Sequence, residues 1–393
     1  MKIIAYIICY LIYPFSFLVP RDKRRMAFGS FRGAFADNSK YLFIYAVEHG
    51  MGDRCCWLSI NRQTVALVRS LGLPAHWVFS PKGIWTALRS KTWFVNSYTS
   101  DILFCLSGGA TVVNLWHGVG LKRCEFNIET GTLAKRYVEK EFGEVFRHPE
   151  VFRRPDWLIS STPFQSEMFA RAFRIPVERC LNIGYPRNAI LTWSDAEIKR
   201  FIAQYEPPTT RELISNLASF SRVYIYMPTW RDSQLEVFSE QFSLPELETL
   251  LAEQNAIMLM KPHPNTRVDR IEETTHIRFV PRTIDVYGIL PYTDVLITDY
   301  SSVLYDYLLM PKKDVILYLY DMEEYVRDRD FYFPFAENVC GKQVHSWEEL
   351  KDTLQRMDYQ LEEVDRQRIL DKFWGNPINQ DVSLSIFRQI HLA

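Results

Sequence analysis

Asn114–Lys122 reads NLWHGVGLK: a histidine on a glycine-rich turn where the apolar run TVVNLW stops, with a lysine five positions on. An imidazole with an ordinary pKa of about 6.5 suits general base work near neutral pH. Gly118 and Gly120 let the backbone turn tightly and approach a ligand, and Lys122 can meet a phosphate. The plainer reading of His117 is a turn cap or a satisfied core histidine. In YMPTWRDS, Tyr226–Ser233, Pro228 ends a strand, Thr229 offers a hydroxyl and Arg231 offers a planar fork for phosphate oxygens. A surface pair with Asp232 is the plainer alternative. In LMKPHPN, Leu259–Asn265, Lys261 and His263 stand at a strand end stiffened by Pro262 and Pro264, or simply in a rigid loop. In LITDYSSVLYDYLLM, Leu296–Met310, a strand stops at Asp299, and Ser301 and Ser302 open an apolar helix. Hydroxyls and unpaired N–H groups at a helix start suit an anion, and plain capping by Ser301 or Asp299 accounts for part of the pattern.

The elements that must hold these residues are short and β-rich. Candidate strands are MAFGS, CCWLSI, HWVFS, TWFVNS, TVVNLW, DWLISS and CLNIGYP, then RVYIYMP, AIMLMKPHP, IRFVP, DVLITD and DVILYLYD. Several are nearly continuous apolar runs, as expected of parallel strands covered on both faces. Helical stretches at 39–48, 163–173, 244–253 and 301–310 lie between them. The alternation predicts α/β architecture. A polar break near Ser194–Ser221, including YEPPTTRE, separates two strand-rich halves. The expected arrangement is two open α/β domains facing a cleft, with ligands at the carboxyl ends of the strands. No GxGxxG or Walker sequence is present, which argues against a P-loop nucleotide site.

The chain has 393 residues, 47% hydrophobic and 15% aromatic, enough for two packed domains and contrary to disorder. A net charge of −1 argues against a general polyanion binder, so no nucleic-acid partner is expected. Seven scattered cysteines without a CxxC pair read as reduced thiols, with no zinc site and no disulfide framework. The N-terminus runs apolar from Ile3 to Val19, broken by Pro14 and followed by PRDKRR. That is short of the roughly 20 residues a spanning helix needs. It also lacks the features of a cleaved signal peptide. The basic flank Arg21, Lys23, Arg24 and Arg25 favours the cytoplasmic side and anionic headgroups. Residues 1–25 are therefore expected to associate with a membrane, lying on it or as a short anchor. The alternative is a helix packed on the protein itself.

Taken in order, FGSFRGAFADNSKYLFIY (Phe28–Tyr45), NLWHGVGLK, GYPRN (Gly184–Asn188), MPTWRDS, KPHPN, TDYSSVLYDY and, more loosely, YDMEEYVRDRDFYF (Tyr320–Phe333) resemble the CDP-glycerol glycerophosphotransferases of teichoic-acid and capsule synthesis. The resemblance covers roughly residues 26 to 385. It implies a GT-B-like fold of two Rossmann-like domains: an acceptor-side domain at 26–200, a CDP-glycerol-binding domain at 201–372, and a final segment, 373–393, crossing back. It implies a peripheral or N-terminally anchored place on the cytoplasmic face of a bacterial membrane, where a lipid-linked saccharide or polymer acceptor lies. His117 resembles the family's proposed base, and His263 its second essential histidine, near the diphosphate. Arg231, Thr298, Asp299, Ser301 and Ser302 resemble pyrophosphate and nucleotide contacts, beside Gly118, Lys122, Thr229 and Lys261 as further candidate contacts. The family's turn commonly reads WHGTPLK, and Val119 and Gly120 depart from it, which bears on acceptor preference.

The expected reaction is attack of an acceptor hydroxyl on the glycerol-linked phosphorus of CDP-glycerol, with CMP leaving. No cofactor is required beyond that donor substrate, and Mg²⁺ on the diphosphate stays open. Other donors on the same fold are CDP-ribitol or a nucleotide-sugar. A catalytically silent membrane assembly partner is the alternative outside the enzymes.

Overall fold

The computed structural model describes residues 2–229, 242–261, 273–281, 283–328, 331–375 and 381–390. The chain divides into two compact units. The first comprises Met1–Ala189, Asp328–Tyr332 and Phe373–Ala393; the second comprises Ile190–Arg327 and Phe333–Lys372. Residues 190–200, expected with the N-terminal half, thus belong to the second unit. The terminal segment from Phe373 belongs to the first, where Tyr45 donates to Asp381 at 2.9 Å and Phe387 packs edge-on to Phe94.

The first unit holds a parallel sheet of β1 (Asp22–Phe28), β2 (Cys55–Ser59), β3 (Ala75–Trp77), β4 (Ser90–Val95), β5 (Thr111–Asn114), β6 (Trp157–Ser160) and β7 (Cys180–Asn182). Its order is β3-β2-β1-β4-β5-β6-β7. The second unit holds β8 (Arg222–Met227), β9 (Ala256–Met260), β10 (Ile277–Phe279), β11 (Val295–Thr298), β12 (Asp314–Tyr318) and β13 (Lys342–Val344), in the order β10-β9-β8-β11-β12-β13. Every apolar run named above forms a strand. The periodicity is that of strands buried on both faces: all five residues of β2 and of β9 are buried. β13 is the addition, a three-residue strand of sequence KQV with no apolar run to betray it.

In each sheet the strand order reverses once, between β1 and β4 and between β8 and β11. Loops leaving adjacent strands there diverge to opposite faces and open a crevice at the carboxyl ends. The polar break is not a loop. It forms the helices Asp195–Tyr205 and Pro208–Leu217. Ser194 and Glu197 make a reciprocal capping box at the first, and Pro208 occupies the opening turn of the second. The polar residues there are largely the solvent faces of the two helices.

The N-terminal helix α1 (Lys2–Ser16) runs through Pro14 instead of breaking at it. It docks on the first unit by one stripe, Tyr6, Cys9, Tyr13 and Ser16, at helical spacing. Tyr13 stacks on Phe104 at 4.5 Å, Tyr10 stacks on Phe146 at 5.3 Å, and Ser16 Oγ accepts from the Gly108 N–H at 2.9 Å. No helix among the described residues is long and apolar enough to cross a membrane.

Candidate active site

β5 ends at Asn114, and its side chain organises the turn beyond the strand. Asn114 Oδ1 accepts from the Trp116 N–H at 2.8 Å, and Nδ2 donates to Ser97 O at 2.7 Å. Trp116 takes φ 52°, a left-handed conformation unusual for a bulky residue. Its ring packs edge-on to Phe173 in the core. That reversal buries Trp116 and turns His117 outward, where it is exposed. Gly118 continues at φ 140°, which a side chain would resist. Gly120 is small for another reason. A Cβ there would lie 3.0 Å from Phe169 and 3.1 Å from Gln165, so the protein's own side chains occupy the space expected to be left for substrate.

His117 Nδ1 lies 3.3 Å from the Asn96 carbonyl. An Nδ1–H donated there leaves Nε2 with the lone pair that a base needs. The crowd of protein atoms around the ring lowers its pKa from the ordinary 6.5, although one side of the ring remains open to solvent. Asp37 and the Asn96 carbonyl push it up, and Arg187 pushes it down. The net direction keeps the imidazole neutral at pH 7.

Residues missed as site components surround this turn. Asn38, in helix α2 (Asp37–Ala46), donates from Nδ2 to Leu115 O at 3.2 Å and Trp116 O at 2.9 Å. Arg187 donates to His117 O at 2.9 Å and to Asp37 Oδ1 at 2.7 Å, and Tyr185 OH donates to Gly118 O at 3.0 Å. The pieces FADNSK and GYPRN were visible as motifs, but only the fold says what they grip. The Lys122 backbone pairs antiparallel with Phe331, and the Tyr332 N–H donates to Leu121 O at 3.1 Å. Phe331 and Tyr332, within the loosely matched motif, therefore brace the far end of the histidine turn.

Just beyond, Glu125 is buried and accepts hydrogen bonds from Tyr98 and Tyr137. Desolvation raises its pKa from 4.5 to about 7, against the two tyrosine bonds. The folded state therefore holds this proton at pH values where the unfolded chain has released it. The stabilisation is fully present below 4.5 and is lost as pH rises through about 7. The loss is on the order of 3 kcal/mol. Buried Asp101, raised from 3.8 to about 7 mainly by desolvation, acts in the same sense. Glu125→Gln is expected to flatten the fall in melting temperature across this window. An unchanged slope would contradict the assignment.

In the second unit the candidate residues gather at the reversal of strand order. Thr298 pairs with Met227 across β11 and β8, and Thr298 Oγ1 donates to Met227 O at 2.7 Å. One residue further on, Asp299, 1% exposed, receives the Thr229 N–H at 2.9 and 3.0 Å and the Thr229 hydroxyl at 2.6 Å. Asp299 is thus occupied by the β8 exit and does not cap the following helix. That helix, expected at 301–310, spans only Val303–Tyr307. Ser301 Oγ accepts from the Val303 N–H at 3.4 Å, and the Ser302 side chain makes no cap bond. Five residues make only a weak terminal dipole, so an anion here would rely on the Ser301 and Ser302 hydroxyls more than on the helix. Lys261, leaving β9, donates to Pro281 O at 2.8 Å and Ile284 O at 3.0 Å, which fastens that exit to the chain after β10. Arg231 and His263 lie outside the described residues. Among the described residues no group of three His, Cys, Asp or Glu side chains could hold a metal ion.

Two parallel sheets with reversed strand orders, one ending in an imidazole turn and the other in a tied-off switch point, define an α/β protein built like the two-domain nucleotide-dependent transferases. The chain belongs to the CDP-glycerol:poly(glycerophosphate) glycerophosphotransferase family, whose model matches residues 11–376. It is 28% identical over 349 residues to a teichoic acid glycerol-phosphate transferase of Staphylococcus aureus, covering 86% of this chain and 85% of that protein. It is 27% identical over 364 residues to a teichoic acid poly(glycerol phosphate) polymerase of Bacillus subtilis, covering 87% of this chain but 45% of that protein. The solved wall teichoic acid polymerase TagF shares the fold, with a TM-score of 0.73 at 24% identity over 98% of this chain and 92% of that one.

Proposed function

We propose that this protein transfers glycerol phosphate from CDP-glycerol to a hydroxyl of a lipid-linked saccharide or a growing glycerol-phosphate polymer. The observation that carries the reading is His117, neutral and open at Nε2 on a turn fixed at a strand end. The acceptor oxygen attacks the glycerol-linked phosphorus, and its proton passes to His117 Nε2. The bond from that phosphorus to the bridging oxygen breaks, and the electron pair leaves on CMP. The exits of β8 and β11, tied at Thr229 and Asp299, support the donor diphosphate, with Arg231, His263, Lys261, Ser301 and Ser302 as its candidate partners and Lys122 on the acceptor side. Positioning and electrostatics supply most of the acceleration. Mass spectrometry of the acceptor after reaction tests the reading. A product heavier by one or more glycerol phosphates supports it, and one carrying ribitol phosphate or a sugar replaces the donor.

We further propose that α1 lies on the cytoplasmic surface of the membrane. With one stripe docked, the rest of the helix exposes Ile4 (61%), Leu11 (63%) and Phe15 (67%), with Leu18 (74%) just beyond its end. Lys23, Arg24 and Arg25 stand exposed immediately after. An apolar face flanked by cations suits the boundary of an anionic bilayer. Flotation with phosphatidylglycerol vesicles should carry the wild type upward and leave an Ile4→Ser, Leu11→Ser, Phe15→Ser variant behind. The exposed positions leave the docking stripe intact. Equal flotation of both proteins would sink the proposal.

A further inference from the structure

We infer that Asp37, Tyr185 and Arg187 are positioning residues that clamp the His117 turn from outside it. The inference rests on the reading of His117 as the base. The turn between β5 and the 3-10 turn at Glu125–Asn127 has almost no regular structure of its own. Yet each backbone carbonyl from Leu115 to Gly118 is gripped by a side chain from another part of the chain. Asn38 takes the first two, Arg187 takes that of His117 and Tyr185 takes that of Gly118. On the far side of the turn the Gly120 N–H donates to Gln165 Oε1 at 2.8 Å.

The clamp is itself braced. The Arg187 N–H donates to Asn38 Oδ1 at 3.1 Å, and its guanidinium holds Asp37 Oδ1. The start of α2 and the turn after β7, about 150 positions apart in sequence, are therefore locked together around the histidine. Tyr185 is 1% exposed and packs edge-on to Trp374, which fixes where its hydroxyl can reach. Arg187 is 4% exposed. Asp37 enters α2 at φ 65°, a left-handed conformation that a non-glycine residue adopts at a cost. Trp116 does the same within the turn. Two strained residues, held by buried polar side chains, are more than a surface turn needs for stability.

The charges add a second observation. Asp37 and Arg187 act on the imidazole in opposite senses, one favouring and one opposing its protonated form. A turn held only for folding could use neutral donors. Here the pair holds the backbone and also sets two opposed fields on the ring, with that of Asp37 the larger. Asp101, buried behind Asn96, receives the Asn96 and Ser97 N–H groups at 2.8 and 2.9 Å. It is left unchanged in the test.

The experiment follows the His117 ring signals by NMR across pH in the full-length wild type and in Asp37→Asn, Arg187→Gln and Tyr185→Phe, with assignment by His117→Asn. The kcat and KM for CDP-glycerol are measured beside it. Asp37→Asn should move the titration to lower pH and Arg187→Gln to higher pH. Tyr185→Phe should leave the titration in place and lower kcat about tenfold with KM unchanged, since it loosens only the geometry. If Arg187→Gln fails to fold, Arg187→Lys keeps the charge without the fork. It should then leave the titration unchanged and still lower kcat. Shifts of the same sign for the Asp37 and Arg187 variants, or wild-type kcat in Tyr185→Phe, would overturn the clamp. The NMR titration needs no turnover. Opposite shifts in a protein that does not act on CDP-glycerol would keep the clamp and discard the transfer reaction.

Discussion

His117→Ala is expected to lower kcat for acceptor-dependent CMP release by about 10²–10⁴-fold, the usual worth of a positioned general base. The KM for CDP-glycerol should change little, because the proposed donor contacts lie on the second sheet. The fold should survive. The ring is exposed, its only described hydrogen-bond contact is with the Asn96 carbonyl, and the turn is held through backbone carbonyls that alanine retains. A melting temperature close to wild type with turnover gone is therefore the signature. In the wild type, the acidic limb of the kcat profile should lie below the ordinary histidine value of 6.5, because desolvation lowers the pKa and the base works only when neutral. That limb should vanish from the residual rate of His117→Ala. Turnover within a few-fold of wild type would remove His117 from the mechanism.

The second large effect belongs to Asp299→Ala. This carboxylate sits at the reversal of strand order and receives both the backbone and the hydroxyl of Thr229. Without it, the Thr229 N–H loses both of the carboxylate oxygens that accept it. An unmet buried donor costs about 1–3 kcal/mol. The β8 exit keeps its Thr298–Met227 bond but loses the carboxylate tie at Thr229. The KM for CDP-glycerol should rise about 10–100-fold, the range that such an energy implies. Thr229→Val is the milder comparison. It deletes the hydroxyl bond but keeps the backbone one, so its effect should be several-fold smaller. If Asp299→Ala lowers the melting temperature while KM stays put, this crevice is structural and the donor sits elsewhere.

The strands were legible because parallel strands buried on both faces write themselves as unbroken apolar runs, and AIMLM and VLIT can hardly be anything else. Their carboxyl ends were legible too, since Pro228, the glycines of the histidine turn and the serines after Asp299 punctuate them. What failed were statements about partners. A close-packed glycine and a ligand-facing glycine look alike in sequence, and only the positions of Phe169 and Gln165 tell which Gly120 is. The helix expected to reach 310 ends early. Its residues Tyr305, Asp306 and Tyr307 are tied to Asn338, Tyr287 and Thr293, and Pro311 comes directly after Met310. SDAE at Ser194 is a capping-box signature, but it lies inside the stretch whose polar composition marks a break between the two halves. The Asp37–Arg187 pair joins residues that no local pattern connects. Motif order could flag both segments, but not their contact.

Glycerol-phosphate transfer is tested most simply by CMP release from the purified protein, with and without a lipid-linked saccharide acceptor. CDP-glycerol, CDP-ribitol and UDP-sugars are offered separately. The expected result is release from CDP-glycerol that depends on the acceptor and disappears in His117→Ala. No release from CDP-glycerol, alongside acceptor-dependent turnover of one of the other donors, would contradict it.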